Sequence, residues 1–467
     1  MNKTAVWEAF CSISKNKKLS LEYFSGSEEM KILVVGNGAR EHAIAEAVKN
    51  SGGTLYVYMS RKNPGLSSIS KEFVVDKIEP QKVAEYCMKK GISLAVVGPE
   101  DPLAGGLADE LLKNNINCVG PIKSAARIEW DKGFARTLMA EEEIPGLPEY
   151  KIFSEGDEKD ISKYIDKLEG QVAIKPAGLT AGKGVKVVGK QLKDGEEAKK
   201  YALEVLSQNI GSLGSVLVEE KLEGEEFTLQ AFVDGTNLVP SPSVQDHKAA
   251  YENDEGPNTG GMGSYSTGEI LPFMRESDYG DALEIMKRVV QAMKEDGIIY
   301  KGFLYGQFML TKTGPKVIEF NSRLGDPEAM NILPIMKTNF IEVLESIVEG
   351  GIKKVEFENK ATVVKYLVPE GYPERKTEDS KIEIQKEKIS KDVRIYYASV
   401  YEKENAVYSA GSRSIGLLGI DGDINLAEKK VEESMQYVKG SLRHRKDIGT
   451  KELIQKRIDH MKQLRGE

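Results

Sequence analysis

The chain has little cysteine and little histidine: three of one and four of the other in 467 residues. Cys11, Cys87 and Cys118 lie far apart with no CxxC spacing, which excludes a disulfide framework and points to a reducing compartment. Four histidines exclude a His-rich metal centre. Positive charge is not in excess either. Sixty-five basic residues against 73 acidic ones leave a net charge of −8, the wrong sign for a protein that must displace counterions from nucleic-acid phosphates. No apolar run approaches the roughly 20 residues that a membrane-spanning helix needs. The first 30 residues mix Trp, Phe and Cys with Lys and Glu and lack the continuous apolar stretch of a secretory signal. They read as an N-terminal extension, a helix and a linker ending at residues 25–28. The expected setting is cytoplasmic, with neither nucleic acid nor membrane as a partner, and a monomer or homodimer as the assembly.

At about 150 residues per domain, this length predicts roughly three domains, enough to bury a core without metal or disulfide staples. From Lys31 short apolar runs alternate with helical stretches: strands at 32–35, 55–59 and 94–97, another ending at Cys118-Val119, and an Ala-rich helix over 41–49. That alternation predicts a parallel α/β domain over 31–131. A helix at 132–143 opens the next stretch. Strands follow at 172–175, 185–188, 216–220, 226–234, 302–310 and 315–320, with helices at 196–208, 278–295 and 339–349. This mixture of antiparallel strands and helices marks a second domain, 132–350, in which a lid subdomain occupies about 150–221. From about residue 360 the chain becomes strand-rich, with strands at 361–368, 393–401, 406–411 and 415–420 and helices at 426–439 and 452–464.

Three segments carry chemistry. Gly36-Asn37-Gly38 ends a strand and opens a helix, a geometry that offers backbone N–H groups and a helix dipole to an anion. The third glycine of a dinucleotide fingerprint is replaced by Glu41, and Ser60-Arg61 stands where an acidic ribose ligand belongs. The residues therefore leave a sugar-phosphate site or a plain tight turn, not NAD. Residues 178–184, GLTAGKG, are not a Walker A loop, because the spacing is one short and a strand follows. A glycine-rich loop between strands either wraps a triphosphate as a lid, with Lys175 on the preceding strand, or is an ordinary hairpin turn. Glu319-Phe320-Asn321 places two oxygen donors on one face of a strand. Gln307 on the preceding strand reaches the same face, a donor set suited to Mg²⁺. The polar segments 245–248 (QDHK) and 256–263 (GPNTGGMG) form a long loop of the functional kind. There His247, flanked by Asp246 and Lys248, is expected off any apolar face.

Taken in order, GNGAREHA (36–43), GPEDPLAGGLAD (98–109), DKGFARTLM (131–139), IKPAGLTAGKGV (174–185), VEEKLEGEEFT (218–228), QDHK, GPNTGGMGSYS (256–266), EFNSRLGDPEAM (319–330) and RKDIG (445–449) resemble the phosphoribosylamine–glycine ligase family of the ATP-grasp superfamily. The resemblance implies a Rossmann-like N-terminal (pre-ATP-grasp) domain, an ATP-grasp fold and a strand-rich C-terminal domain. It implies ligation of glycine to 5-phosphoribosylamine at the expense of ATP, through glycyl phosphate, in purine biosynthesis. By position, Lys132, Lys175, Gly178, Gly182, Lys183, Gly184, Glu220, Leu222 and Glu226 resemble the ATP-binding residues. Gln307, Glu319 and Asn321 resemble the ligands of Mg²⁺ or Mn²⁺. Asn37, Gly38, Arg40 and Glu100 correspond to the phosphoribosyl site, and Asp246, Asn258, Arg323 and Asp326 to the joint site for glycine and amine. Lys175, Arg323 and Asp326 are the candidates for catalysis, with Arg323 expected to clamp the glycine carboxylate bidentately. Leu324, Ala329, Met330 and Ala249 depart from the usual family residues. Another ATP-grasp ligase or carboxylase would keep the lid and the ExN pair but lack GPNTGGMG together with QDHK. An NADP dehydrogenase would need the missing third glycine.

Overall fold

β-Branched runs bounded by glycine build the first layer of the computed structural model, which describes residues 30–180, 184–375 and 378–467. The expectations for the N-terminal extension and for Gly182 and Lys183 fall outside those residues. Strands β1 (Lys31–Val35), β2 (Thr54–Met59), β3 (Glu72–Val75), β4 (Leu94–Val97) and β5 (Asn117–Val119) form a parallel sheet in the order β3-β2-β1-β4-β5. β2 and β4 are buried along their whole length, as parallel strands covered on both faces must be. The strand order reverses between β1 and β4, so the loops after them, Gly36–Gly38 and Gly98–Glu100, share one crevice. Edge strand β3 and the helix Pro80–Lys90 were not foreseen, because an edge strand is half exposed and short.

The second layer is antiparallel. β6 (Tyr150–Ser154), β7 (Val172–Pro176), β8 (Lys186–Val187) and β9 (Ser215–Glu220) order as β6-β9-β7-β8. Helices Glu158–Lys167 and Gly195–Ser207 bury Ile161, Ile165, Ala198 and Val205 against it. Asp194 starts the second of these helices by accepting from two first-turn amides. Then come β10 (Glu225–Asp234), β11 (Leu238–Pro240) and four short strands, β12 (Gln245–Asp246), β13 (Ala249–Tyr251), β14 (Glu255–Asn258) and β15 (Gly263–Ser266). The long strands β16 (Lys301–Thr311) and β17 (Gly314–Asn321) complete a sheet β11-β10-β16-β17. The helix Glu276–Glu295 packs Ile285, Met286 and Val289 into the same core as Phe227, Phe308 and Val317.

The tail supplies β18 (Ala361–Pro369), β19 (Lys381–Ile384), β20 (Val393–Tyr397), β21 (Val400–Lys403), β22 (Ala406–Ser409) and β23 (Ile415–Asp421). Its main sheet runs β12-β15-β18-β23-β20. The loop strand that carries Gly263–Ser266 therefore hydrogen-bonds directly to the C-terminal part of the chain. Two expectations need correction. The single strand over 393–401 is two strands, because the chain turns a corner at Ala398 and Ser399, whose amides bond to Ser414 and Arg413. The helix expected over 426–439 runs Ile424–Met435: Asp423 caps it earlier, and Val438–Lys439 leaves it to pair with β19. Among the described residues, no helix is long and apolar enough to cross a membrane.

Candidate active site

The register of β16 on β17 assembles the expected oxygen donors. Gln307 lies directly opposite Glu319, and Tyr305 opposite Asn321, with a bulge after Gln307. Gln307 and Asn321 are buried and Glu319 is half-buried. Gln307 Nε2 donates to Glu226 Oε2 at 2.9 Å, which leaves the Gln307 amide oxygen for another partner. Among the described residues Glu319 has no ion-pair partner, but it feels the charge of four cations. Burial alone would raise its carboxyl, but Lys132, Lys248, Lys175 and Arg323 outweigh that and hold it below its ordinary range. Among the described residues no three His, Cys, Asp or Glu side chains cluster tightly enough to hold a metal ion. One carboxylate and two amides are a set that fits Mg²⁺ or Mn²⁺ only when phosphate oxygens complete the shell.

Lys132 and Lys175 stand on the other side. Lys132 opens a helix capped by Asp131, and its Nζ donates to Gly178 O at 3.0 Å. Lys175 on β7 is buried. Its Nζ donates to Ile318 O at 2.9 Å and lies 2.6 Å from Glu219 Oε2, which leaves one of its three protons uncommitted. Glu219 is also held by Arg136, through Nε at 2.7 Å and Nη2 at 3.1 Å. Arg136 Nη2 bonds Ile318 O as well, at 2.8 Å. Burial would raise Glu219, but Arg136 and Lys175 pull it down to about 2. Burial depresses Lys175, and Glu219 opposes that. Arg136 and Lys175 thus fix the carbonyl that immediately precedes Glu319, Glu219 holds both cations, and sequence reading assigned neither Arg136 nor Glu219 a role. Both lie inside quoted motifs, but nothing local separates Glu219 from its neighbour Glu220.

Glu220 accepts from the Glu149 amide at 2.8 Å and pairs with Lys316. Its own amide is spent on Glu149 O. The Leu222 amide, next in the chain after the paired amides of Glu220 and Lys221, has no acceptor among the described residues. Glu226 receives Gln307, with Lys190 3.9 Å away. In the lid, Gly178 is glycine for packing: a Cβ there would meet Gly211 O at 1.9 Å. Gly184 O accepts the Tyr201 hydroxyl at 2.7 Å.

The glycine turn after β1 differs from expectation. Gly38 N–H is not open to an external anion, because Glu41 folds back and accepts it at 2.6 Å. Built Cβ atoms on Gly36, Gly38 and Gly98 would come within 2.5, 2.8 and 2.2 Å of the Glu41 side chain. The glycines therefore make room for the chain's own carboxylate. Arg40 Nε holds the other Glu41 oxygen at 2.6 Å, and its Nη1 bonds Leu324 O. Asn37 Oδ1 accepts from Ser60 at 2.7 Å, and Arg61 is exposed. Glu100 lies 3.9 Å from Arg40 and 3.3 Å from Arg323, whose charge draws it down to about 2.

Arg323 is also not free as a bidentate clamp. Nε faces Glu100 and Nη2 faces Glu129 at 3.1 Å, which leaves Nη1 with a single 3.5 Å contact to Leu324 O. Asp326 Oδ1 accepts from Tyr366 at 2.6 Å, and a Cβ on Gly38 would lie 3.8 Å from its Oδ2, so the two expected sites adjoin. Asp246 Oδ2 lies 3.2 Å from Lys248 Nζ, while buried Oδ1 has no hydrogen-bond partner among the described residues. Burial pushes the Asp246 carboxyl up to about 7. Asp246 and exposed Asn258 line a cleft of about 1170 Å³, walled on the far side by the helix Lys451–Arg465. His247, expected off any apolar face, is instead 2% exposed against Tyr265, and burial lowers it to about 3.

Family models for phosphoribosylglycinamide synthetase match the N domain over residues 30–129, the ATP-grasp (A) domain over 130–329 and the C domain over 362–451. A phosphoribosylamine–glycine ligase of Methanosarcina barkeri is 53% identical over 444 residues, covering 94% of this chain and 100% of that protein. The crystal structure of phosphoribosylamine–glycine ligase from Thermotoga maritima superposes with a TM-score of 0.76 at 27% identity, covering 90% of this chain and 100% of that one. The biotin carboxylase domain of Hydrogenobacter thermophilus 2-oxoglutarate carboxylase, crystallised with MgADP, gives a TM-score of 0.68 at 14% identity, over 94% and 96% of the two chains. That likeness is one of fold alone. Fold and site together define an ATP-grasp ligase. The chain belongs to the phosphoribosylamine–glycine ligase family, the ATP-dependent ligases of purine biosynthesis.

Proposed function

We propose that the cleft between the β6–β9 sheet and the β16–β17 hairpin carries out two successive displacements. A glycine carboxylate oxygen attacks the γ-phosphorus of ATP and ADP departs, giving glycyl phosphate. The amine of 5-phosphoribosylamine then attacks the glycyl carbonyl, phosphate leaves and the amine loses a proton, giving glycinamide ribonucleotide. The observation that carries this reading is Glu319, a carboxylate unpaired among the described residues, set directly opposite Gln307 on the hairpin and held ionised by the charges of Lys132, Lys248, Lys175 and Arg323. Such a convergence suits phosphoryl transfer, which depends on positioning and neutralisation more than on a side-chain nucleophile. A divalent cation, Mg²⁺ or Mn²⁺, held through Gln307, Glu319 and Asn321, would neutralise phosphate charge there.

Lys132 and the remaining proton of Lys175 are aimed at the phosphates, while Gly182, Lys183 and Gly184 belong to the lid that excludes water from the acyl phosphate. The Leu222 amide is the donor for the purine, and Glu226 the acceptor for ribose hydroxyls. Asn37, Arg40 and Glu100 hold the phosphoribosyl part, with Gly38 shaping the turn. Asp246, Asn258 and Asp326 line the place where glycine meets the amine, and Arg323 meets the glycine carboxylate through Nη1. Domains at 31–131, 132–350 and 360–467, a cytoplasmic setting and a monomeric or homodimeric state belong to the same proposal. With phosphoribosylamine omitted, hydroxylamine should trap glycyl hydroxamate in step with ADP release. ADP release without any hydroxamate would count against the acyl phosphate.

A further inference from the structure

Arg413 lies outside every motif read from the sequence, in the turn between β22 and β23. Its Nη1 donates to Gly260 O at 2.6 Å, Gly261 O at 3.2 Å and Asp326 O at 2.9 Å, and stands 3.1 Å from Asp326 Oδ1. The guanidinium lies 4.7 Å from the centre of the Tyr366 ring, and the Tyr366 hydroxyl donates to the same Asp326 oxygen at 2.6 Å. One nitrogen with two protons therefore faces four oxygens from two separate loops, the one containing 256–263 and the one after β17. Oxygens converging on one point repel one another unless a cation stands among them.

The two loops also meet at Asp246. A Cβ on Gly261 would fall 2.4 Å from Asp246 Oδ1 and 2.8 Å from Pro327 Cδ, so Asp246, Gly261 and Pro327 are in close contact. Movement of either loop displaces the carboxylate. Among the described residues, the hydrogen bonds of Lys132 and Lys175 involve neither loop.

We propose that Arg413 is a positioning residue for ligation: its single nitrogen locks the GPNTGG loop to the loop carrying Asp326, and so sets the spacing of Asp246, Asn258 and Asp326 around the joined substrates. The proposal rests on the ligase reading above. It separates the joined-substrate side from Lys132 and Lys175, whose hydrogen bonds do not pass through this lock. All four contacts radiate from one nitrogen, but a lysine ammonium is one bond shorter and lacks the planar face that lies over Tyr366, so lysine replaces it only in part.

The test compares the full-length wild type with Arg413→Ala and Arg413→Lys, by steady-state kinetics and by hydrogen exchange. Arg413→Ala is expected to raise KM for glycine and phosphoribosylamine about tenfold or more, the scale of one lost charge-assisted hydrogen bond, with KM for ATP little changed. Amides in 256–263 and 324–327 should exchange faster together in that variant. Arg413→Lys, which keeps the charge but not the reach or the planar face, should fall between alanine and wild type in both effects. Unchanged glycine and phosphoribosylamine constants in Arg413→Ala, or faster exchange in only one of the two loops, would each overturn the proposal. A wild type without glycine-dependent ADP release would instead refute the ligase reading, and the exchange data would still decide whether the lock exists.

Discussion

Replacing Glu219 with glutamine probes the buried triad that fixes both Lys175 and the strand of Glu319. Glu219 is 1% exposed and accepts from Arg136 Nε and Nη2 and from Lys175 Nζ. In Glu219→Gln two buried cations face a neutral amide. Removing one partner of a buried ion pair costs about 3–5 kcal/mol, mostly because the remaining charge is left uncompensated. The pH dependence gives an independent figure. Burial opposes ionisation of Glu219, but its cations bring it from 4.5 to about 2, equivalent to about 3 kcal/mol. A depressed carboxyl stabilises the fold fully above its unfolded value and loses that contribution as pH falls through the folded one. The gap between wild type and variant should therefore be complete above pH 4.5 and narrow as pH falls toward 2. Urea unfolding across this range is the assay. Lys175→Met is the control, since it leaves Arg136 and Glu219 paired and should cost less. A loss in Glu219→Gln below about 1 kcal/mol, or equal to that of the control, would refute the reasoning, because such values belong to exposed pairs.

Two further predictions concern ions and pH. With one carboxylate in its donor set, the site should bind Mg²⁺ weakly until nucleotide supplies phosphate oxygens; calorimetric titration showing tight binding to the nucleotide-free protein would contradict this. Asp246 is raised by burial from 3.8 to about 7, so ionising it costs the folded state stability as pH climbs between those values. Asp246→Asn should match wild type below pH 4 and gain on it through pH 7 in denaturant melts, whereas a difference that shrinks with rising pH would reverse the assigned sign.

Much of the fold was legible because its signals are local. The β-branched run of β1 stops at a glycine turn, and β4 ends at Gly98-Pro99. The oxygen donors at 307, 319 and 321 followed from alternation along one strand and the hairpin partner beside it. What escaped reading depends on distant contacts. Whether Glu219 or Glu220 turns inward is set by the sheet register, which pairs Glu219 with Ala173 and Glu220 with Val172. Glu41 was read as a missing glycine, although its side chain fills the turn that the glycines make. The corner at Ala398 is hidden in a continuous run of strand-forming residues. Arg413 reaches Asp326 across 87 positions, a separation that leaves no periodic trace.

We propose that the γ-phosphoryl group moves at the Glu319 carboxylate, which Lys132, Lys248, Lys175 and Arg323 keep ionised. Glycine-dependent ADP release by wild type and by Glu319→Gln, at saturating Mg²⁺ and with circular dichroism to verify the fold, tests it most directly. Turnover is expected in the wild type and none above background in a correctly folded variant. Near-normal turnover by the variant would contradict it.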